Sequence, residues 1–283
     1  MLFRSGIAII IGLLGMLILI GAQTGNPVTA LASVEATRFY PLGQNQSVLE
    51  FVEQWAIPIC GSLVAVELIS RILACRSADV ARLAAPLGGL GYLLIALIPV
   101  YFGLIGPIVM PGLDEPEQLS LHLANTYLPM FFYVMFAGAL ISAVLSSVDS
   151  ALLASASLVS HNLILPLKPA MAERAKVATA RLCVAALGIF AYVLALRSDG
   201  ISDLVETASA FASAGVFVAL TFGLFTRFGG PLSAMAAIGT GAGCWAFGKF
   251  VLDMSTPYLA GLATAFVAYV AVGLIDRSAP KAA

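Results

Sequence analysis

The sequence predicts an all-α membrane protein with about eight transmembrane helices. Three observations carry this expectation. The chain of 283 residues is 60% hydrophobic and only 10% charged, whereas soluble domains hold about 25% charged residues. Several apolar stretches exceed the ~18 residues that mark a membrane-spanning helix. Turn-forming groups separate those stretches, at Asn26-Pro27, Gly106-Pro107, Pro111-Gly112 and Gly229-Gly230-Pro231.

Composition also excludes several function classes. The net charge is −1 and no basic cluster points to nucleic acid. The four cysteines, Cys60, Cys75, Cys183 and Cys244, stand far apart with no C-x-x-C pair. Neither a zinc site nor a disulfide framework follows from them.

The elements follow in order. Ser5–Gly25 opens the series. A charged start before an apolar run also fits a secretory leader, but no small-x-small cleavage motif follows, and further spans do. A first membrane helix is therefore expected. Phe51–Ala74 is the second span, and its string WAIPICGSL contains Pro58, Gly61 and Ser62. Proline frees a backbone carbonyl and glycine loosens the turn, which fits either a tolerated kink or a discontinuous helix lining a binding cavity. Leu83–Gly106 is the third span. Leu128–Asn162 is the fourth, and its 35 residues make a helix about 52 Å long that must tilt or project into water. Val177–Leu196, Asp203–Phe225, Pro231–Val251 and Thr256–Ile275 complete the set. No shift in composition divides the chain, so a single transmembrane domain over 1–283 is expected.

The basic residues set an orientation. With the amino terminus inside and each span reversing direction, eleven of the 14 Lys and Arg fall inside, leaving Arg38, Arg197 and Lys249 outside. Both termini are then cytoplasmic, in a plasma or inner membrane.

The fourth span carries an unusual seam. Ala143, Ser146, Ser147, Ser150, Ala154, Ser157 and His161 share one helix face at intervals of three and four. Asp149 lies on its flank. Small polar residues let membrane helices pack closely. An intramembrane carboxylate is costly and marks an ion or proton path. The residues alone leave both readings open, packing seam and cation site.

The string Ala143-x-x-Ser146-Ser147-x-Asp149-Ser150, continuing through Ala154 and Ser157 to His161-Asn162, resembles the signature helix of the sodium:solute symporter family. Its form is most similar to choline-carrier-like and many bacterial members. Two further motifs agree in order and spacing. Arg71-x-Leu73-Ala74-Cys75-Arg76-Ser77, with Ala81-Arg82, resembles the family's junction after its broken core helix. Gly223-Leu224-Phe225-x-Arg227, with Gly230, Ala234, Gly239 and Gly243, resembles a later junction. The match runs over nearly the whole chain from Phe51.

The resemblance implies a LeuT-type inverted-repeat bundle. Ser5–Gly25 would be the fifth core helix, Phe51–Ala74 the broken sixth, Leu128–Asn162 the eighth and Asp203–Phe225 the tenth, followed by two peripheral helices. It implies sodium as the coupling ion, held by the Ala143 carbonyl and the Ser146 and Ser147 hydroxyls, with Asp149 and Ser150 as further candidates. Pro58, Gly61 and Ser62 on the broken helix, with Glu67, become candidate substrate contacts. The implied activity is sodium-coupled transport of a small organic solute across the bilayer by alternating access. The first four core helices of the family have no counterpart in these residues, and the first of them shares the sodium. The expectation is a carboxy-terminal part of a symporter that does not transport alone, with a separate chain supplying the other helices. The alternative is a non-transporting remnant or scaffold. An enzyme is not expected, because His122 and His161 are the only histidines and neither falls at midplane depth. Glu67 and Arg71, four apart on a helix, also fit a structural ion pair. Glu206 joins Glu67 as a hint of a cationic or zwitterionic solute.

Overall fold

A computed structural model describes residues 2–24, 27–40, 46–113, 115–168, 171–197 and 200–278. No strand occurs among them. The helices are α1 (Leu2–Thr24), α2 (Pro27–Ala32), α3 (Val48–Leu63), α4 (Val66–Leu73), α5 (Ala78–Val109), α6 (Leu119–Tyr127), α7 (Met130–Leu158), α8 (Leu165–Leu167), α9 (Glu173–Ala195), α10 (Ile201–Ala210), α11 (Ser213–Phe225), α12 (Pro231–Phe250) and α13 (Pro257–Ser278). A π-helical turn over Val159–Ile164 joins α7 to α8.

Among the described residues six helical stretches are long and apolar enough to cross a membrane, or seven if the pair α10 and α11, bent by 43°, counts as one. This corrects the expected eight. The segment expected at Pro231–Val251 does fold as a helix, α12. Its glycines, Gly239, Gly241, Gly243 and Gly248, with Thr240 and Lys249, leave it less apolar than the others.

The chain divides into two compact units. Met1–Tyr40 with Arg76–Leu196 forms the first, and Pro41–Cys75 with Arg197–Ala283 the second. In the first unit α1 packs on α7, where Gly12 leaves room for the fully buried Phe136 ring. Met16, Ile20, Phe102, Ile105 and Leu123 close that core. Ser77 caps α5, its hydroxyl accepting from the Val80 amide at 3.3 Å.

In the second unit, Ser47 and Glu50 form a capping box that starts α3. The Ser47 hydroxyl accepts from the Glu50 amide at 3.2 Å, and the Ser47 amide donates to the Glu50 carboxylate at 2.8 Å. The buried face of α3 carries Glu53, Ile57 and Cys60, at intervals of four and three. They meet Ala210, Ala214, Trp245 and Tyr258 of α10 to α13.

Two helices of this unit are interrupted. The α3–α4 break falls at Val64 and Ala65, with Ala65 extended. It lies just beyond the string containing Pro58, Gly61 and Ser62. The α10–α11 break falls at Phe211 and Ala212, and Ala212 has φ +62°. A left-handed backbone costs a residue with a Cβ about 1–2 kcal/mol. Part of this is recovered in an Ala212→Gly variant, which we expect to be more stable by about 0.5 kcal/mol after the extra entropy of glycine. Thermal unfolding in detergent reads this, and a lower midpoint would show that Ala212 is not strained.

Candidate ion and solute site

The signature residues lie together on α7 in the first unit. The Ser147 hydroxyl donates to the Ala143 carbonyl at 3.0 Å, and the Ser150 hydroxyl donates to the Ser146 carbonyl at 2.9 Å. Such bonds to the carbonyl four residues back are how serine satisfies itself within an apolar helix. Donation leaves the lone pairs of the serine oxygens free, whereas the Ala143 carbonyl, which accepts both the Ser147 hydroxyl and its own helical N–H, has both of its lone pairs engaged. The Ser147 oxygen can therefore face a cation as it stands, and the Ala143 carbonyl can once the Ser147 hydroxyl turns its proton away. Two oxygens 3.0 Å apart, each about 2.4 Å from one ion, subtend about 80° at it, an angle that fits one coordination shell.

Ala143 and Ser146 are half-buried within their unit, while Ser147, Asp149 and Ser150 are exposed. The seam is therefore an open face. Below it, the helix widens into the π turn that holds His161 and Asn162. Pro166 follows, and its missing N–H and bulky ring disfavour a regular α-turn over that stretch. Such widened turns recur at functional sites. Among the described residues no group of three His, Cys, Asp or Glu side chains is gathered as a transition-metal site. The donors available on α7 are a carbonyl, hydroxyls and one carboxylate, all hard oxygens suited to an alkali or alkaline-earth cation.

The candidate solute residues lie in the second unit. Pro58 and Ser62 are exposed on the face of α3 opposite Glu53, Ile57 and Cys60. Gly61 has a packing role: a Cβ there would stand 3.1 Å from the Ser209 carbonyl oxygen of α10. The Glu67 side chain lies outside the described residues, so the expected pairing with Arg71 does too. Glu206 is exposed and borders a cavity of about 180 Å³ that Glu53, Lys249 and Asp253 also line. Lys249 donates to the Thr207 hydroxyl at 2.9 Å and stands 3.6 Å from Asp203.

One functional candidate escaped the sequence reading. Glu53 is only 5% exposed, and its two carboxylate oxygens accept from the Tyr258 and Leu259 amides. The signal that could have found it is a carboxylate in line with Ile57 and Cys60 on the buried stripe of a membrane helix.

The sequence profile of the sodium:solute symporter family matches residues 6–241. The chain belongs to the sodium:solute symporter family. No curated protein matches it. Members of this family are multi-pass membrane transporters that couple solute movement to sodium.

Proposed function

We propose that this symporter moves a small organic solute with sodium by alternating access, and that sodium binds on α7 through the Ala143 carbonyl and the Ser146 and Ser147 hydroxyls. The observation that carries this reading is the Ser147–Ala143 pair, two oxygens 3.0 Å apart on an open helix face, in the family's signature helix. Neutral oxygens suit a monovalent ion that must be released each cycle. Three oxygens are too few for a full shell. The rest come from a facing helix, in this chain or in a separate one. Asp149 and Ser150 adjust the local field, and the broken helix around Pro58, Gly61 and Ser62 faces the solute, with Glu67 beside it. The two compact units work as one transmembrane domain. Counted with α12 as a further span, the excess of Lys and Arg on one side supports an amino terminus on the cytoplasmic side of a plasma or inner membrane. Family membership favours transport over the scaffold reading.

The test is uptake of radiolabelled amino acids, sugars, choline and organic acids by cells expressing this chain together with the helices that complete its sodium shell. At least one solute should accumulate with sodium outside and fail to accumulate when N-methyl-D-glucamine replaces it. Equal accumulation in both media across the panel would reject the proposal. Asp149→Asn should raise the half-saturating sodium concentration by about three- to tenfold, the effect of one nearby charge. Unchanged sodium activation would remove Asp149 from the site.

A further inference from the structure

The first turn of α13 gathers groups from both interrupted helices of the second unit. From α3, the Glu53 carboxylate accepts from the Tyr258 amide at 2.5 Å and from the Leu259 amide at 2.8 Å. These amides open α13, where N–H groups lack helical partners and the helix dipole favours a negative charge. A buried carboxylate without partners would be costly, but here each oxygen is held by a donor. The Tyr258 side chain is fully buried. It packs in one buried cluster with Cys60, again from α3, and its hydroxyl accepts from the Ser213 hydroxyl at 3.1 Å. Ser213 is the first residue of α11 and directly follows the left-handed Ala212. One turn of α13 therefore binds α3 through the Glu53 carboxylate and packing on Cys60, and touches α11 through Ser213.

We propose that this turn is a fixed post for the two interrupted helices, with Glu53 positioning α3 and with α11 seated beside it by packing of Val218 on Ala265 and Tyr269 as well as by Ser213. The three helices α3, α11 and α13 travel as one body, and bending falls at Val64–Ala65, which no such contact clamps. Glu53 is a positioning residue: both its oxygens are taken by backbone amides of α13, and it acts by fixing where α3 stands. The place of this body in a transport cycle rests on the reading above. The body itself can be tested without any solute.

The experiment uses the full chain in lipid nanodiscs, with spin labels on bio-orthogonal amino acids so that the native cysteines stay untouched. The labels replace exposed residues, pairing Leu63 of α3 with Val267 of α13, and Leu224 of α11 with Val267. Pulsed electron resonance reads both distances in sodium chloride and in N-methyl-D-glucamine chloride. Each pair should give a single narrow distance that agrees between the two salts within about 2 Å, less than a helix shift of functional size. Glu53→Gln leaves one acceptor oxygen and sets an amide NH₂ against a backbone N–H. It should cost the α3 pair its single distance and leave the α11 pair unchanged. Ser213→Ala should leave both distances unchanged, because the close crossings at Gly215, Gly241 and Gly261 and the packing of Val218 on Ala265 and Tyr269 hold α11 without that bond. Loss of the α11 distance in either variant, a retained single α3 distance in Glu53→Gln, or a wild-type shift of about one helical turn, ~5 Å, on adding sodium would overturn the proposal. Absence of uptake in the solute panel would leave these distances standing.

Discussion

Removing both hydroxyls of the α7 seam, as Ser146→Ala with Ser147→Ala, should raise the sodium concentration that half-saturates uptake by about 100-fold, because each oxygen lost to a charged partner is worth about 1.5 kcal/mol or more. The amount of protein in the membrane should not change. The Ser147 hydroxyl bonds only back to its own helix, at Ala143, and alanine is a good helix former. The expected loss is therefore confined to the ion. Ser147→Thr retains the hydroxyl and should retain most of the sodium affinity, which separates the oxygen's role from the side chain's volume. If the double variant kept the wild-type sodium dependence, the seam would be a packing surface only.

The second large effect concerns the fold. Gly215 of α11 crosses α12 so closely that a Cβ would collide with the Ala237 carbonyl oxygen and the Ile238 Cα. Both atoms are backbone, so no side-chain rotation relieves the clash. Gly241 repeats the approach from α12, where a Cβ would stand 2.9 Å from the Gly215 nitrogen, and Gly261 repeats it from α13, 2.9 Å from the Gly241 carbonyl oxygen. Gly215→Val should therefore destabilise the second unit by about 3 kcal/mol, lowering the unfolding midpoint by roughly 10 °C. Gly239→Ala is the control on the same hairpin, since a Cβ there meets nothing within 4 Å. Similar melting of the two variants would show that the α11–α12 crossing is looser than described.

The sequence revealed those parts of this architecture that depend on local composition. Long apolar runs marked most of the helices, because hydrocarbon demands them over ~20 residues. Pro58 and Gly61 left a kink and an interruption both open; α3 runs through them, and the chain breaks at Val64–Ala65 just after. The second break gave no such notice. Phe211 and Ala212 are neither glycine nor proline, and the left-handed turn is held by tertiary contacts such as the Ser213–Tyr258 bond. α12 was read as a span from its length. Its glycines serve close packing against α11 and α13, and this dilutes its hydropathy. The signature serines were legible by spacing and by family resemblance. Glu53 was not, because its partners, Tyr258 and Leu259, lie more than 200 residues away, and only the folded chain brings them to it.

The most direct test of the central claim is equilibrium binding of radioactive sodium to the purified full-length protein, alone and as the Ser146→Ala, Ser147→Ala double variant. The account predicts saturable binding that unlabelled sodium displaces and potassium does not, and its loss in the double variant. No saturable binding, or binding of equal affinity in the two proteins, would contradict it.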